Sequence, residues 1–283
     1  MSSLRTLLVL GRVSNLPTVW TNCLAGWLLG GGGEWERLAW LCLGATLVYV
    51  GGMFLNDAFD ADFDTQHRRE RPIPSGAISR EATWLWSAVL LAGGTGMLGW
   101  LGREPAILAL QLLVCVVLYD AFHKSLDWSP VLMASCRFFL LLTAASAGVR
   151  GVDGLAIWTA VVLGCYIVGL SYLARHESAP GLLRFWPLVL LAAPLVLAFI
   201  VNDGFFREKA LLASAIVALW ALRCLRPTFW QSPPAIGKTV SGLLAGLCLV
   251  DLLAVADQPP QVSGWFVACF VLALVFQRFV PAT

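Results

Sequence analysis

Apolar runs of about 18 to 22 residues recur along the chain, divided by short polar links, and runs of that length span a bilayer as helices. They predict ten helices, at about 14–31, 37–58, 82–102, 105–122, 130–149, 155–175, 182–202, 208–225, 236–256 and 262–280. Nine is the count if one of the last three is re-entrant. No ten-residue alternation of apolar and polar positions occurs, which disfavours a β-barrel. The first dozen residues, with Arg5 and Arg12, predict an amphipathic lead-in lying along the interface. The expected fold is all-α: one polytopic membrane helical bundle, a single domain over 1–283.

Composition sharpens this picture. The chain is 59% hydrophobic and 13% charged, with 13 Trp, and a mean hydropathy of +0.78 lies far outside soluble norms. Little length remains for a soluble domain. No cleavable signal peptide is expected, since the run flanked by Arg5 and Arg12 lacks a small-residue cleavage site. The eight cysteines fall singly inside apolar segments without a C-x-x-C pair, the pattern of buried, inert thiols.

Charge gives an orientation. With the links assigned alternately to two sides, Arg37, Arg103, Arg150, Arg207 and Lys209 fall on one side and Arg137 inside a span; the other thirteen Lys and Arg share the side of the N-terminus. The positive-inside rule makes that side cytoplasmic. The expected location is a bacterial-type inner membrane, with both termini and the functional loops cytoplasmic. The lipid bilayer is the expected surrounding, and no nucleic-acid partner is expected.

Against this apolar background, Asn56-Asp57-Ala58-Phe59-Asp60-Ala61-Asp62-Phe63-Asp64 is anomalous. On a helix, Asn56, Asp57, Asp60 and Asp64 fall within an arc of about 100°, and Asp62 points roughly the other way. Carboxylates this close repel unless a cation sits among them. Hard oxygen ligands suit Mg2+, which keeps several waters and is shared with substrate phosphates. As a mere solvated helix end the cluster lacks a motive, because acids at a helix C-terminus oppose the macrodipole. Just downstream, Arg68-Arg69-Glu70-Arg71-Pro72-Ile73-Pro74-Ser75-Gly76 offers guanidinium forks suited to diphosphate oxygens, stiffened by two prolines.

Two further polar clusters end the fourth and sixth spans on the same side. Tyr119, Asp120, His123 and Lys124 lie within an arc of about 140°; Lys124 either reaches a phosphate or snorkels at the interface. In Ser171-Tyr172-Leu173-Ala174-Arg175-His176-Glu177-Ser178, Tyr172, Arg175 and His176 share one side, and complete a substrate pocket or form a hydrogen-bonded helix end. Arg137, inside a span, faces a cavity or a partner. Asn15 and Asn22, seven apart on one face of the first span, bind substrate or neighbouring helices.

The pattern Asn56-Asp57-x-x-Asp60-x-x-x-Asp64, followed by Arg71-Pro72-Ile73-Pro74-Ser75-Gly76, resembles the first acidic motif of the UbiA superfamily of intramembrane prenyltransferases and its R-P-x-x-S-G segment. Asn15, Tyr119, Lys124 and the polytopic pattern extend the resemblance over most of the chain. It implies a helical bundle around a central cavity open laterally to lipid. It also implies Mg2+-dependent transfer of a prenyl group from its diphosphate to a small-molecule acceptor, often aromatic. Asn56, Asp57, Asp60 and Asp64 then correspond to the metal site, and Arg71 and Lys124 to diphosphate-binding cations. The family's second acidic motif, D-x-x-x-D, is replaced here by a stretch whose one carboxylate is Glu177. Either Arg175 and His176 contact the diphosphate directly, or the substrate or reaction differs.

The expected site therefore comprises Asp57, Asp60, Asp64 and Lys124 as catalytic groups. Asn15, Asn56, Arg71, Tyr119, His123, Arg137, Tyr172, Arg175, His176 and Glu177 bind substrate, and Asp64 or Glu177 orients or deprotonates the acceptor. A competing class is a non-catalytic or transport-type membrane protein handling an isoprenoid or other lipid. A CDP-alcohol phosphotransferase is disfavoured because its D-G-x-x-A-R opening is absent.

Overall fold

The computed structural model describes residues 3–178, 185–202 and 204–282, and among these the regular structure is entirely helical. In chain order the elements are α1 (Ser3–Leu10), a 3-10 turn (Val13–Asn15), α2 (Leu16–Leu29), α3 (Trp35–His67), α4 (Arg80–Trp100), α5 (Arg103–Phe122), α6 (Ser129–Ser146), α7 (Gly154–Ser178), α8 (Trp186–Leu191), α9 (Ala193–Val201), α10 (Gly204–Phe229), α11 (Ile236–Ala254) and α12 (Pro260–Phe276). Six of them, α3, α5, α6, α7, α10 and α11, are long and apolar enough to cross a membrane.

Local chemistry explains the boundaries. Prolines open α2, α6, α8, α9 and α12, where a missing N–H costs nothing. The Ser79 hydroxyl caps α4 by accepting from the Ala82 amide at 3.1 Å. Two expectations differ. The second segment does not end near 58: α3 runs 33 residues, through the whole acidic cluster, to His67. At 1.5 Å per residue it is roughly 50 Å long, well beyond a 30 Å hydrocarbon core. It persists because Asn56, Asp57, Asp60 and Asp64 remain on its buried face. The seventh segment is two short helices divided at Ala192, since Pro194 has no N–H to continue the ladder. The lead-in is helical and leaves Leu4, Leu7 and Leu8 exposed.

Helix α2 lies at the centre, with all but Trp20 and Leu28 buried. It meets α6 through small residues: Gly26 lies against Leu141 and Ala144, and Gly30 against Ala145 and Gly148. Such small residues let backbones approach closely where lipid removes the hydrophobic incentive to pack. Beyond α2, the Arg150 amide donates to the Gly30 carbonyl at 2.7 Å. At that end Arg37 also binds the Leu101 carbonyl. The opposite end collects the 3-10 turn, the C-terminal turns of α3, α5 and α7, and the chain segment at 281–282, which accepts from Ser14 and Asn15. Arg37 and Arg150 thus bind at one end of the bundle, and Ser14, Asn15, Asn56 and Arg175 at the other.

Candidate active site

The acidic face of α3 meets cations from three separate elements. Asp57 Oδ1 accepts from Arg71 Nη1 at 3.1 Å and from Arg12 Nη2 at 3.4 Å. Arg12 Nη2 also donates to Asn56 Oδ1 at 3.2 Å. On the other side, Asn56 Nδ2 donates to Asp120 Oδ1 at 3.1 Å, joining α3 to α5. One turn along, Asp60 Oδ1 lies 2.6 Å from Lys124 Nζ and 3.5 Å from His123 Nε2. Lys124 sits 4.1 Å from the centre of the Phe63 ring, and Tyr119 stacks on His123 at 5.2 Å.

Asp62, as helical geometry requires, points away and pairs with Arg80 at 3.0 Å; its side chain is 79% exposed. Asp57 and Asp64 are buried, which separates the two faces of one helix. Arg71 reaches inward because the 68–79 segment winds into tight turns. Its Ser75 amide donates to the Arg71 carbonyl at 3.0 Å, and Gly76 takes the left-handed φ of 72° that a side chain would strain. Burial, and next the charge of nearby Arg12, lower the Arg71 guanidinium from its ordinary value; Asp57 opposes them.

Three observations show that this donor set fits a hard cation. Asp57, Asp60 and Asp64 are close enough to act on one another electrostatically. Asp64 Oδ1 and Asp120 Oδ2 are buried without a hydrogen-bond partner among the described residues. Of the acid oxygens that have partners, Asp57 Oδ1 and Asp60 Oδ1 are held by side-chain cations and Asp120 Oδ1 by the Asn56 amide, none of them by backbone. Among the described residues no three His, Cys, Asp or Glu close around a common point. Mg2+ does not need such a cage, being held by one or two carboxylates plus substrate phosphates.

The structure gathers Asn56, Asp57, Asp60, Asp64, Arg71, Tyr119, His123 and Lys124 at one place. The other expected residues whose side chains are described take different partners. Asn15 Nδ2 donates to the Ala282 carbonyl at 2.9 Å. Arg137 binds the Thr18 carbonyl and hydroxyl at 3.0 and 2.9 Å. Nearby, Asn22 and Thr21 donate to buried Asp251 at 3.1 and 2.6 Å, an interhelical polar link of α2 with α11. Tyr172 packs edge-on against Trp186. Arg175 donates to the carbonyls of Asp127, Leu126 and His123 at 2.6, 2.7 and 3.3 Å, and to Ser129 Oγ at 3.1 Å. It fastens the α5–α6 link, and so the segment bearing His123 and Lys124, to α7. The side chains of His176 and Glu177 lie outside the described residues.

Arg175→Gln is therefore expected to lower thermal stability by about 1–3 kcal/mol, the cost of unsatisfied carbonyls, in a melting experiment. A direct role on substrate would instead raise KM and leave the melting temperature unchanged.

Asp120 is legible from sequence in the helix-end cluster with Tyr119, His123 and Lys124, without an assigned role in the site. One member escapes sequence reasoning. Arg12 reads as a flanking charge; its reach depends on a left-handed backbone, φ 40° and ψ 48°, that turns the chain between α1 and the 3-10 turn. Among the described residues it is the one non-glycine with positive φ, a conformation costing roughly 1–2 kcal/mol.

Comparison with known proteins bears on the family and the fold. The model of the UbiA prenyltransferase family matches residues 16–235. Over 80 residues the chain is 38% identical to a digeranylgeranylglyceryl phosphate synthase of Methanothrix thermoacetophila, covering 28% of this chain and 30% of that one. Over 265 residues it is 27% identical to a protoheme IX farnesyltransferase of Pyrobaculum neutrophilum, covering 86% and 88%. The alignments with the first curated relatives span about a third of those proteins' length. A solved structure of a UbiA homolog from Archaeoglobus fulgidus bound to GPP and Mg2+ has the same fold, with a TM-score of 0.67 at 12% identity over 94% of this chain and 99% of that one. Six membrane-length apolar helices, the shared fold and a family match over most of the sequence lead to one assignment: this integral membrane chain belongs to the UbiA prenyltransferase family.

Proposed function

We propose that the chain, acting as a single domain, transfers a prenyl group from an allylic prenyl diphosphate to an acceptor within the membrane. The observation that carries this reading is the interleaving of buried acids with cations at one end of the bundle. Asp57 and Asp60 are held by Arg12, Arg71 and Lys124, cations that an anion would satisfy as well, while Asp64 Oδ1 and Asp120 Oδ2 are left without a hydrogen-bond partner among the described residues. Mg2+ would serve the acids and a diphosphate the cations.

In this reading Asn56, Asp57, Asp60 and Asp64 hold Mg2+, which when bound neutralises charge on the leaving diphosphate. Arg71, Lys124 and Arg12 hold diphosphate oxygens, with His123 and Tyr119 beside them. The bond between the allylic carbon and the diphosphate oxygen breaks, and its electron pair leaves with the diphosphate. The acceptor's nucleophilic atom bonds to that carbon and gives up its proton, with Asp64 or Glu177 as the base. The apolar surroundings exclude water, which would otherwise capture the prenyl cation. Positive-inside bias supports a cytoplasmic side for the site and both termini, and the reading takes the membrane to be a bacterial-type inner membrane. The names of the relatives support prenyl transfer to a lipid or a larger ring system as acceptor classes.

The test is a panel of prenyl diphosphates offered to purified protein in lipid, with released diphosphate and product mass as readouts. Release that requires Mg2+, with a product heavier than its acceptor by one prenyl group, is expected. Movement of the lipid across liposomes without diphosphate release would establish the transport-type reading instead.

A further inference from the structure

A second charged region lies at the same end of the bundle, and prenyl transfer does not use it. Between Lys209 and Asp251 the chain carries no carboxylate, but it carries Arg223, Arg226 and Lys238, and Arg278 follows just beyond α12. Among the described residues none of these four cations forms an ion pair or hydrogen bond. Positive-inside topology accounts for cations on a rim. It does not account for the cleft they flank, about 490 Å3 between α10, α11 and α12. Among the described residues Arg223 and Lys238 line it and no acid does, and Trp220, Cys224 and Leu274 form apolar wall. That volume lies within the range of small-molecule clefts. Two unpaired cations above an apolar wall match an anionic head with an apolar tail, as basic pockets between membrane helices do.

We propose that this cleft binds one anionic phospholipid, its phosphate held by the Arg223 fork and the Lys238 ammonium and its acyl chain lying along Trp220 and Leu274. The phosphate chemistry alone would also admit free phosphate; the apolar wall favours the lipid. The cleft also borders the chain segment that follows Arg12. Pro281 and Ala282 line it, and their carbonyls accept from Ser14 and Asn15 beside Arg12. A lipid seated there would press on the segment that positions the chain entering α2. The proposal stands whether or not the chain transfers prenyl groups.

The experiment is native mass spectrometry of purified protein titrated with phosphatidylglycerol, with phosphatidylcholine, and with inorganic phosphate in detergent. Wild type is expected to retain one phosphatidylglycerol in preference to phosphatidylcholine. Arg223→Gln/Lys238→Gln is expected to bind it roughly 10- to 100-fold more weakly, about tenfold for each charge-assisted hydrogen bond removed. Both side chains are exposed, so the variant should melt as wild type does. Arg226→Gln/Arg278→Gln removes the same charge from the same end outside the cleft, and is expected to keep the lipid. Equal loss in both variants, equal retention of the two lipids, or phosphate binding as tight as phosphatidylglycerol would each overturn the proposal.

Discussion

Asp60→Ala is expected to lower kcat for prenyl transfer by roughly 10²–10³-fold, the scale of losing one fixed group that stabilises charge in a transition state. The fold should survive. Asp60 pairs with Lys124, whose side chain is 42% exposed, so the freed ammonium can turn to water, and the stability change should stay within about 1 kcal/mol. Asp57→Ala should differ. It leaves Arg12 and Arg71 facing each other with side chains only 21% and 18% exposed. Removing one member of a buried pair costs about 3–5 kcal/mol, and partial exposure here reduces that to about 2. Activity and melting temperature should therefore fall together for Asp57→Ala, and activity alone for Asp60→Ala. Asp62→Ala supplies the contrast, since it removes an equal charge from the same helix but from its exposed face. It should retain near wild-type turnover. A comparable loss in Asp62→Ala would show that bulk acidity, not one helix face, governs the reaction.

The second large effect concerns the fold that holds this site. A Cβ at Gly26 would meet the Leu141 carbonyl oxygen at 2.4 Å and the Ala144 Cβ at 2.7 Å; one at Gly30 would meet the Ala145 carbonyl oxygen at 2.0 Å. These obstacles are backbone and short side chain, with no flexible end to give way, so α2 and α6 must separate. Gly26→Ala and Gly30→Ala are each expected to cost about 3 kcal/mol, the upper part of the range for overpacking, read as a lowered melting temperature in detergent. Gly93 and Gly96, mid-helix in α4, have nothing within 4 Å of an added Cβ. Alanine there should be neutral or stabilise by about 0.4–1 kcal/mol, through reduced freedom of the unfolded chain. Equal melting temperatures for Gly26→Ala and Gly93→Ala would contradict the close α2–α6 approach. Because α2 follows directly on the 3-10 turn after Arg12, displacing it should also loosen the hydrogen bonds of Arg12 to Asn56 and Asp57.

These two effects mark what the linear chain discloses and what it hides. The acidic face is legible because helical spacing alone separates Asp57, Asp60 and Asp64 from Asp62, and the structure sets them on opposite faces of α3. The true end of α3 is not: hydropathy falls after Leu55, yet burial of the polar face carries the helix on to His67. Lys124 is legible from its place at a helix end near three other polar groups. Arg12 is not, since a left-handed turn aims it and no spacing rule links residue 12 to residues 56 and 57. Arg175 shows the opposite limit. Its residue type and side of the bundle suit a phosphate, but free carbonyls of the α5–α6 link claim its guanidinium, and the positions of loop carbonyls are not written in local sequence. Arg137 likewise is explained by a partner 119 residues away, the hydroxyl and carbonyl of Thr18.

The most direct test of the central claim is diphosphate release from a prenyl diphosphate, measured against Mg2+ concentration for wild type, Asp60→Ala and Asp62→Ala in the same lipid. The account predicts Mg2+-dependent release for wild type and Asp62→Ala, and a rate lower by roughly 10²–10³-fold for Asp60→Ala. Release by Asp60→Ala equal to wild type at every Mg2+ concentration would contradict it.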